Sequence, residues 1–272
     1  MNRILQTGRT GLDSIQKEMD TIAHNIANVQ TDGYKTMEVQ FEDLVYDRVE
    51  NRGTPMTPEA RQKPIEIGTG SRVKSILHRF DQGILQETSE PFDLAIQGEG
   101  FFGVEGENGE ILLTRDGAFS VDGNGNLVDS SGRPVRMDVA SPLSQWPTEE
   151  ITIEENGRLT CSDQAGRTVE IGKIHLYNVP DKAMLLDRGD NTFSAERQED
   201  IYDYNNRQED IYDYNNRQEE SGVIKQGFLE GSSTDIAKEL TDMFLTQRAY
   251  EINTKSIHAA DEMWGMTNQL RR

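Results

Sequence analysis

Residues 1–35 carry an apolar repeat that few folds can accommodate. Leu5, Gly8, Leu12, Ile15, Met19, Ile22, Ile26 and Val29 recur at alternating steps of three and four. On a helix this makes one narrow heptad stripe, apolar except for its glycine, and such a stripe calls for a second helix to cover it. Thr31, Asp32 and Gly33 follow the last seam residue and read as the stop, since glycine is the usual left-handed residue just past a helix end. In the last turns, Ala23 and Ala27 allow close approach of a partner. Asn25 and Asn28 offer amides that fix register across it. The plainer reading is an amphipathic helix on its own domain's core.

The other end weighs against that plainer reading. From Thr234 onward the chain has no proline and a single glycine, Gly265, and reads as a second long helix. Leu245, Ala249, Ile252, Ser256, Ala259, Met263, Met266 and Leu270 form one seam. Ile236, Leu240, Met243, Tyr250, Ile257 and Trp264 lie on another, broken by Gln247, Thr254 and Asp261. One partner helix cannot cover both, so the helix belongs in a larger core or in an assembly. Nothing between the two ends supplies further long helices for such a core.

The middle reads as β. Residues 84–180 hold short apolar runs, among them Phe101-Phe102-Gly103-Val104 and Ile111-Leu112-Leu113. Turn pairs separate them at Asn108-Gly109, Asp116-Gly117, Asp122-Gly123 and Asn156-Gly157. That spacing predicts a small sandwich or barrel. Residues 51–64 contain Gly53, Pro55, Pro58 and Pro64 and read as a stiffened arm. Residues 197–206 recur without change as residues 207–216. Two short polar copies are too few for a solenoid, so the pair reads as a duplication in a tolerant surface loop. A contact surface of carboxylates and tyrosines is the sharper alternative. The expected class is α+β: long N- and C-terminal helices as a coiled-coil-like pair around a central all-β domain. The segments are 1–45 helical, 46–83 arm and connector, 84–196 β-domain, 197–220 acidic repeat loop, and 221–272 helical.

Composition narrows the function. A net charge of −20 argues against nucleic acid and against anionic membranes, both of which select clustered Lys and Arg. The apolar residues of the N-terminus are spread at heptad spacing, so neither a cleaved secretory signal nor a membrane span is expected. Cys161 is alone and His24, His78, His175 and His258 are scattered, leaving no metal-ligand spacing. Gly98, Gly100 and Gly103 spell a dinucleotide fingerprint, but a hairpin follows where a helix N-terminus would have to receive the pyrophosphate. Asp122, Asn124 and Asn126 start like a calcium loop, but Leu127 and Arg133 stand where that loop needs Gly and Glu. No nucleophile elbow is present. No catalytic, cofactor or metal site is expected.

His24-Asn25-Ile26-Ala27-Asn28-Val29-Gln30-Thr31-Asp32-Gly33-Tyr34-Lys35 is similar to the N-terminal signature of the bacterial flagellar rod and hook family. Gln247-Arg248-Ala249-Tyr250-Glu251, with Asn253, Lys255 and Ala260-Asp261-Glu262-Met263, is similar to its C-terminal one. Residues 91–102 and Thr114-Arg115-Asp116-Gly117 resemble its middle domain, and Ile65-Glu66-Ile67-Gly68-Thr69-Gly70 resembles the distal-rod branch. The resemblance implies a structural subunit in the basal body, exported by the flagellar type III apparatus without a cleaved signal. Its implied partners are copies of itself in a helical polymer and other rod and hook proteins. In that reading Leu5, Leu12, Ile15, Met19, Ile22 and Ile26 bury against Leu245, Ile252, Met263 and neighbours. Asn25, Asn28, Gln247 and Arg248 set register, and Glu251 pairs with Lys255. Thr31, Gly33, Tyr34, Lys35, Ala249 and Tyr250 complete the assembly surface. The alternatives are a proximal rod or hook subunit, or, from another class, an enzyme or ligand-binding β-domain with a helical dimerisation hairpin.

Overall fold

The computed structural model describes residues 2–44, 47–49, 65–68, 70–107, 109–139, 151–162, 168–195, 197–203 and 222–270. The arm, 51–64, and the second repeat copy, 207–216, lie outside the described residues. The chain forms two compact units. One comprises Met1–Ala27, Met37–Arg79 and Asp235–Arg272, and the other Asn28–Thr36 and Phe80–Thr234.

The first unit is built on two helices, α1 (Asn2–Ala27) and α2 (Ile236–Leu270). Asp235 caps α2, its carboxylate accepting from the amides of Ala237 at 2.9 Å and Lys238 at 3.3 Å, which satisfies donors that the first turn leaves open. The strand Met37–Asp43 pairs antiparallel with Ser71–His78, with a bulge at Gln40/Phe41. Asp47–Val49 pairs with Ile65–Ile67. The hydroxyl of Ser14 ties α1 to this ribbon, donating to the Ser71 carbonyl at 3.2 Å.

The helices pack on each other, but not through the seam expected of α2. Leu245, Ile252 and Met263 are exposed, the first two at 63% and 64%. The covered stripe of α2 runs instead through Glu239, Met243, Thr246, Asn253, Ile257 and Ala260. The covered stripe of α1 is mostly small or polar, Gly8, Ser14, Thr21 and Asn25, with Ile22 among them. Leu5, Leu12, Ile15, Met19 and Ile26 are only half covered. The cause is closeness. A Cβ added at Gly8 would lie 2.8 Å from Ile257 Cγ1, and one at Gly11 2.7 Å from Asn253 Nδ2. Leucines there would hold the backbones apart. The buried hydroxyls are satisfied along their own helices, Thr21 donating to the Lys17 carbonyl and Thr246 to that of Asp242, so the polar seam leaves those groups bonded.

The second unit is a β-domain, as the turn spacing predicts, with two larger sheets and, among the described residues, three two-stranded ones. A six-stranded antiparallel sheet has the spatial order Leu185–Gly189, Thr192–Ala195, Ile111–Thr114, Phe101–Glu105, Leu176–Asn178, Tyr202–Asp203. A four-stranded sheet has the order Met137–Val139, Thr168–Ile174, Arg158–Ser162, Ile151–Ile153. Alternate side chains of a strand point to opposite faces, and the six-stranded sheet buries both. Phe102, Leu112 and Leu176 join Leu159, Ile171 and Ile174 of the other sheet in one core. Phe101, Leu113 and Tyr177 face a second cluster with Val179 and Phe193. Phe80 closes that cluster edge-on to Phe101 and Phe193, at 5.3 and 5.1 Å, a preferred aromatic geometry. The first repeat copy departs from the loop reading: Gln198–Asp200 is a 3-10 turn and Tyr202–Asp203 is the sheet's last strand.

Gly8→Val tests the close helix contact. The added carbons overlap Ile257, and overpacking of this kind costs about 1–3 kcal/mol. Amide exchange in α1 and α2 is expected to accelerate while the β-domain keeps its protection.

Candidate assembly interface

The N-terminal signature loop is held by buried charge. Gly33 has φ of +67°, which lets the chain turn out of the helix without the penalty a side chain would carry. An added Cβ there would strike the Arg115–Asp116 backbone at 2.5 Å. Tyr34 and Lys35 follow inside the second unit, and Lys35 is 0% exposed. Its ammonium donates to Glu230 Oε1 and to the Asp81 carbonyl, each at 2.7 Å. Glu230 also accepts from the Gly83 amide at 2.7 Å and from Arg115 Nη1 at 3.2 Å. Arg115 in turn donates to the Gly98 carbonyl at 2.9 Å and lies over the Phe101 ring. Burial pulls the Lys35 pKa down, and the charge of Arg115 adds to this, while Glu230 and Asp81 oppose it.

Around this triad the loop is stitched to the segment before α2. The Ser233 amide donates to the Tyr34 carbonyl at 3.1 Å, and the Thr36 amide donates to Ser233 Oγ at 3.0 Å. The Asn191 side chain donates to the Asp32 carbonyl at 2.9 Å. In the first unit Asn25, 1% exposed, works as a backbone surrogate. Its amide nitrogen donates to the Met37 carbonyl and its oxygen accepts from the Met37 amide, both at 2.9 Å. The same nitrogen reaches Glu239 Oε2 at 3.2 Å.

The expected interface residues therefore divide. Ile22, Asn25, Gly33, Tyr34 and Lys35 are buried within the chain. Asn28 accepts a hydrogen bond from Thr31 at its own turn. Leu245, Gln247, Arg248, Ala249, Tyr250, Glu251, Ile252 and Met263 lie exposed on α2. Glu251 meets Arg248 at 3.1 Å, an i,i+3 partner nearer than the Lys255 expected from the sequence. Sequence reasoning missed Glu230, Arg115, Glu239 and Phe244. A lone acid in Gly227-Phe228-Leu229-Glu230-Gly231 was the available signal for the first, since an acid isolated among apolar residues and glycines is a candidate for a buried pair.

The helix seam is acidic. Burial raises the pKa of Glu18, and Asp242 adds to it. Burial likewise raises that of Glu239, with Asp242 and Asp235 adding to it and the Asn25 hydrogen bond opposing. Among the described residues no group of His, Cys, Asp or Glu has metal-holding geometry, and no helix is long and apolar enough to cross a membrane.

Two long helices packed on each other, a β-domain in the same chain, and large apolar side chains left exposed along α2 describe an assembly subunit. Residues 5–35 match the family described as "Flagella basal body rod protein". Residues 95–161 match "Flagellar hook protein FlgE/F/G D1 domain", and residues 225–270 match "Flagellar basal body rod FlgEFG protein C-terminal". The chain belongs to this family of flagellar rod and hook proteins. It is 35% identical to the flagellar basal-body rod protein FlgG of Borreliella burgdorferi over the full length of both chains. To FlgG of Agrobacterium fabrum it is 34% identical over 96% of each, and to the flagellar hook-basal body complex protein FlhP of Bacillus subtilis 31% over all of both. Within the family it is a structural subunit of the distal rod in the flagellar basal body, not an enzyme, and it assembles with other rod and hook components.

Glu230→Gln removes the only anion of the triad and leaves two buried cations. Breaking a buried pair this way costs about 3–5 kcal/mol. Lys35→Met leaves the Glu230–Arg115 pair neutral and is expected to cost less, in chemical denaturation of the full chain. For the helix seam, raised carboxylate pKa values mean that the folded form binds protons more readily than the unfolded one. Its stability rises as pH falls through those raised values and is fully gained below the ordinary value of 4.5. Amide exchange in α1 and α2, corrected for intrinsic rates, is expected to slow from pH 7.5 to 5, and Glu18→Gln to flatten that dependence.

Proposed function

We propose that the rod subunit polymerises with copies of itself through the outer face of α2, building the wall of a tubular drive shaft that passes torque to the hook. The observation that supports this is the exposed apolar row Leu240, Phe244, Leu245, Ile252, Met263 and Met266, with Phe244 at 67%. Large apolar side chains left exposed along one helix, here interleaved with charged ones, mark an interaction surface. A helix that spends its small polar stripe on α1 keeps its largest apolar side chains for neighbours. Gln247 and Arg248 are exposed among these side chains and would fix register between subunits. The exposed faces of Leu12, Ile15, Met19 and Ile26 on α1 would join the same contact. Residues 51–64 would add a second contact, since their prolines limit the entropy lost on ordering. Export through the flagellar type III apparatus belongs to the same reading and rests on the family signature.

Ile252→Asp separates assembly from folding. The site is exposed in the monomer, so monomer stability is expected to change by no more than about 0.5 kcal/mol. A carboxylate buried at each subunit contact costs several kcal/mol, so rods are expected to be absent. The variant protein is first quantified outside the cytoplasm, which isolates export, and basal bodies are then imaged. Normal rods built of Ile252→Asp subunits would overturn the reading.

A further inference from the structure

His175 is the one residue between two strands that belong to different sheets. Thr168–Ile174 lies in the four-stranded sheet and Leu176–Asn178 in the six-stranded one, so the ring sits where the chain crosses between them. Each ring nitrogen meets a carboxylate from a different sheet. Nε2 lies 3.1 Å from Asp138 Oδ2, on the strand Met137–Val139. Nδ1 is buried and lies 2.6 Å from Asp203 Oδ2, on the edge strand Tyr202–Asp203. The Asp203 side chain is sheltered, 16% exposed, whereas that of Asp138 is open at 84%. Among the described residues these two are the charged groups that bear on the ring. The Tyr177 ring lies 6.4 Å away, and Arg136, Asp138 and Asp203 all act on its phenol. Lys173 is the ladder partner of Asp138.

A neutral imidazole carries one N–H, and its other nitrogen is an acceptor. Between two carboxylates, that second nitrogen would turn a lone pair toward an acceptor. Only the imidazolium donates at both nitrogens, so this geometry selects the protonated ring.

We propose that His175 is a proton-operated latch, whose charged ring ties the edge strand Tyr202–Asp203 to the crossing between the two larger sheets and releases it as pH rises. The linkage has one direction. Hydrogen bonding to Asp203 raises the His175 pKa, burial opposes this, and the charges of Asp203 and Asp138 add to the rise. With the folded value above the ordinary 6.5, the latch contributes its full stability below that value and loses it as pH climbs through the raised one. The neighbouring turn is held without the ring. The Gln198 side chain accepts from the Ile111 amide at 2.9 Å, and Ile201 packs on the cluster of Phe101 and Phe193. Neither Gln198 nor Ile201 titrates. Release therefore frays Tyr202 and Asp203 and leaves Tyr177 and Asn178 without the ladder partners they have on that side. An open sheet edge is a template for another strand, so the latch keeps that edge closed while the ring is charged.

The test is NMR of the full-length protein, combining titration of the His175 ring with amide exchange, corrected for intrinsic rates, from about pH 6 to about pH 9. The ring is expected to titrate above 6.5. Protection in the ladder between Tyr202–Asp203 and Tyr177–Asn178 is expected to fall about tenfold for each unit of that elevation, while residues 198–200 and the four-stranded sheet keep theirs. His175→Gln retains a donor that does not titrate and is expected to flatten the ladder's pH dependence. Asp138→Asn, at an exposed site, is expected to lower the ring's pKa and flatten the dependence in part, and Asp203→Asn to do both more fully. A ring that titrates at or below 6.5 would overturn the proposal. So would a His175→Gln ladder that loosens with pH as the unsubstituted one does. Loosening that spreads equally to residues 198–200 would overturn it as well, since that is unfolding of the domain and not release of a latch.

Discussion

The buried contact of Lys35, Glu230 and Arg115 is the constraint on which the path of residues 33–36 and 230–234 through the β-domain depends. Removing three charges from water is expensive, and the attraction between them offsets that cost only with good geometry and further hydrogen bonds. Both are present. Carbonyls of Asp81 and Gly98 and the amide of Gly83 complete the bonding. A mismatched loop would leave an uncompensated charge in the interior, so the arrangement selects one path for residues 33–36 and one for residues 230–234. Both segments lead within a few residues into the helical unit.

The same division of labour runs through the helices. Their mutual contact uses glycine, hydroxyl and amide groups at close range, while the large apolar side chains of α2 face outward. That inverts the usual monomer, in which the greasiest stripe is buried first. For a rod subunit the inversion is sensible, because the subunit keeps its strongest non-directional attraction for the polymer. The acidic groups at the internal seam make the intramolecular contact sensitive to proton concentration.

Much of this was legible in the sequence. Both helices follow from heptad spacing, and the two sheets from short apolar runs cut by turns such as Asn156-Gly157. Which face of α2 meets α1 was not legible. Periodicity records where apolar residues recur, but the contact is decided by how near two backbones can come, and Gly8 and Gly11 set that distance. Lys35 was placed on the assembly surface because it closes the N-terminal signature. Its burial depends on a carboxylate that the sequence places 195 residues away. The first repeat copy was read as loop for its polarity. An edge strand needs one apolar side chain set against the core, here the half-buried Ile201, and its polar groups are met by Ile111 and His175.

The separation between Lys35 and Glu230 has a consequence for the order of events during synthesis. A contact this distant along the chain cannot form early. While the ribosome is still making the β-domain, the N-terminal signature has emerged but its closing carboxylate does not yet exist. A chain cut short before residue 230 can form individual strands, but it cannot fix residues 33–36 in their native path. The triad thus closes only in a chain that has been made through residue 230.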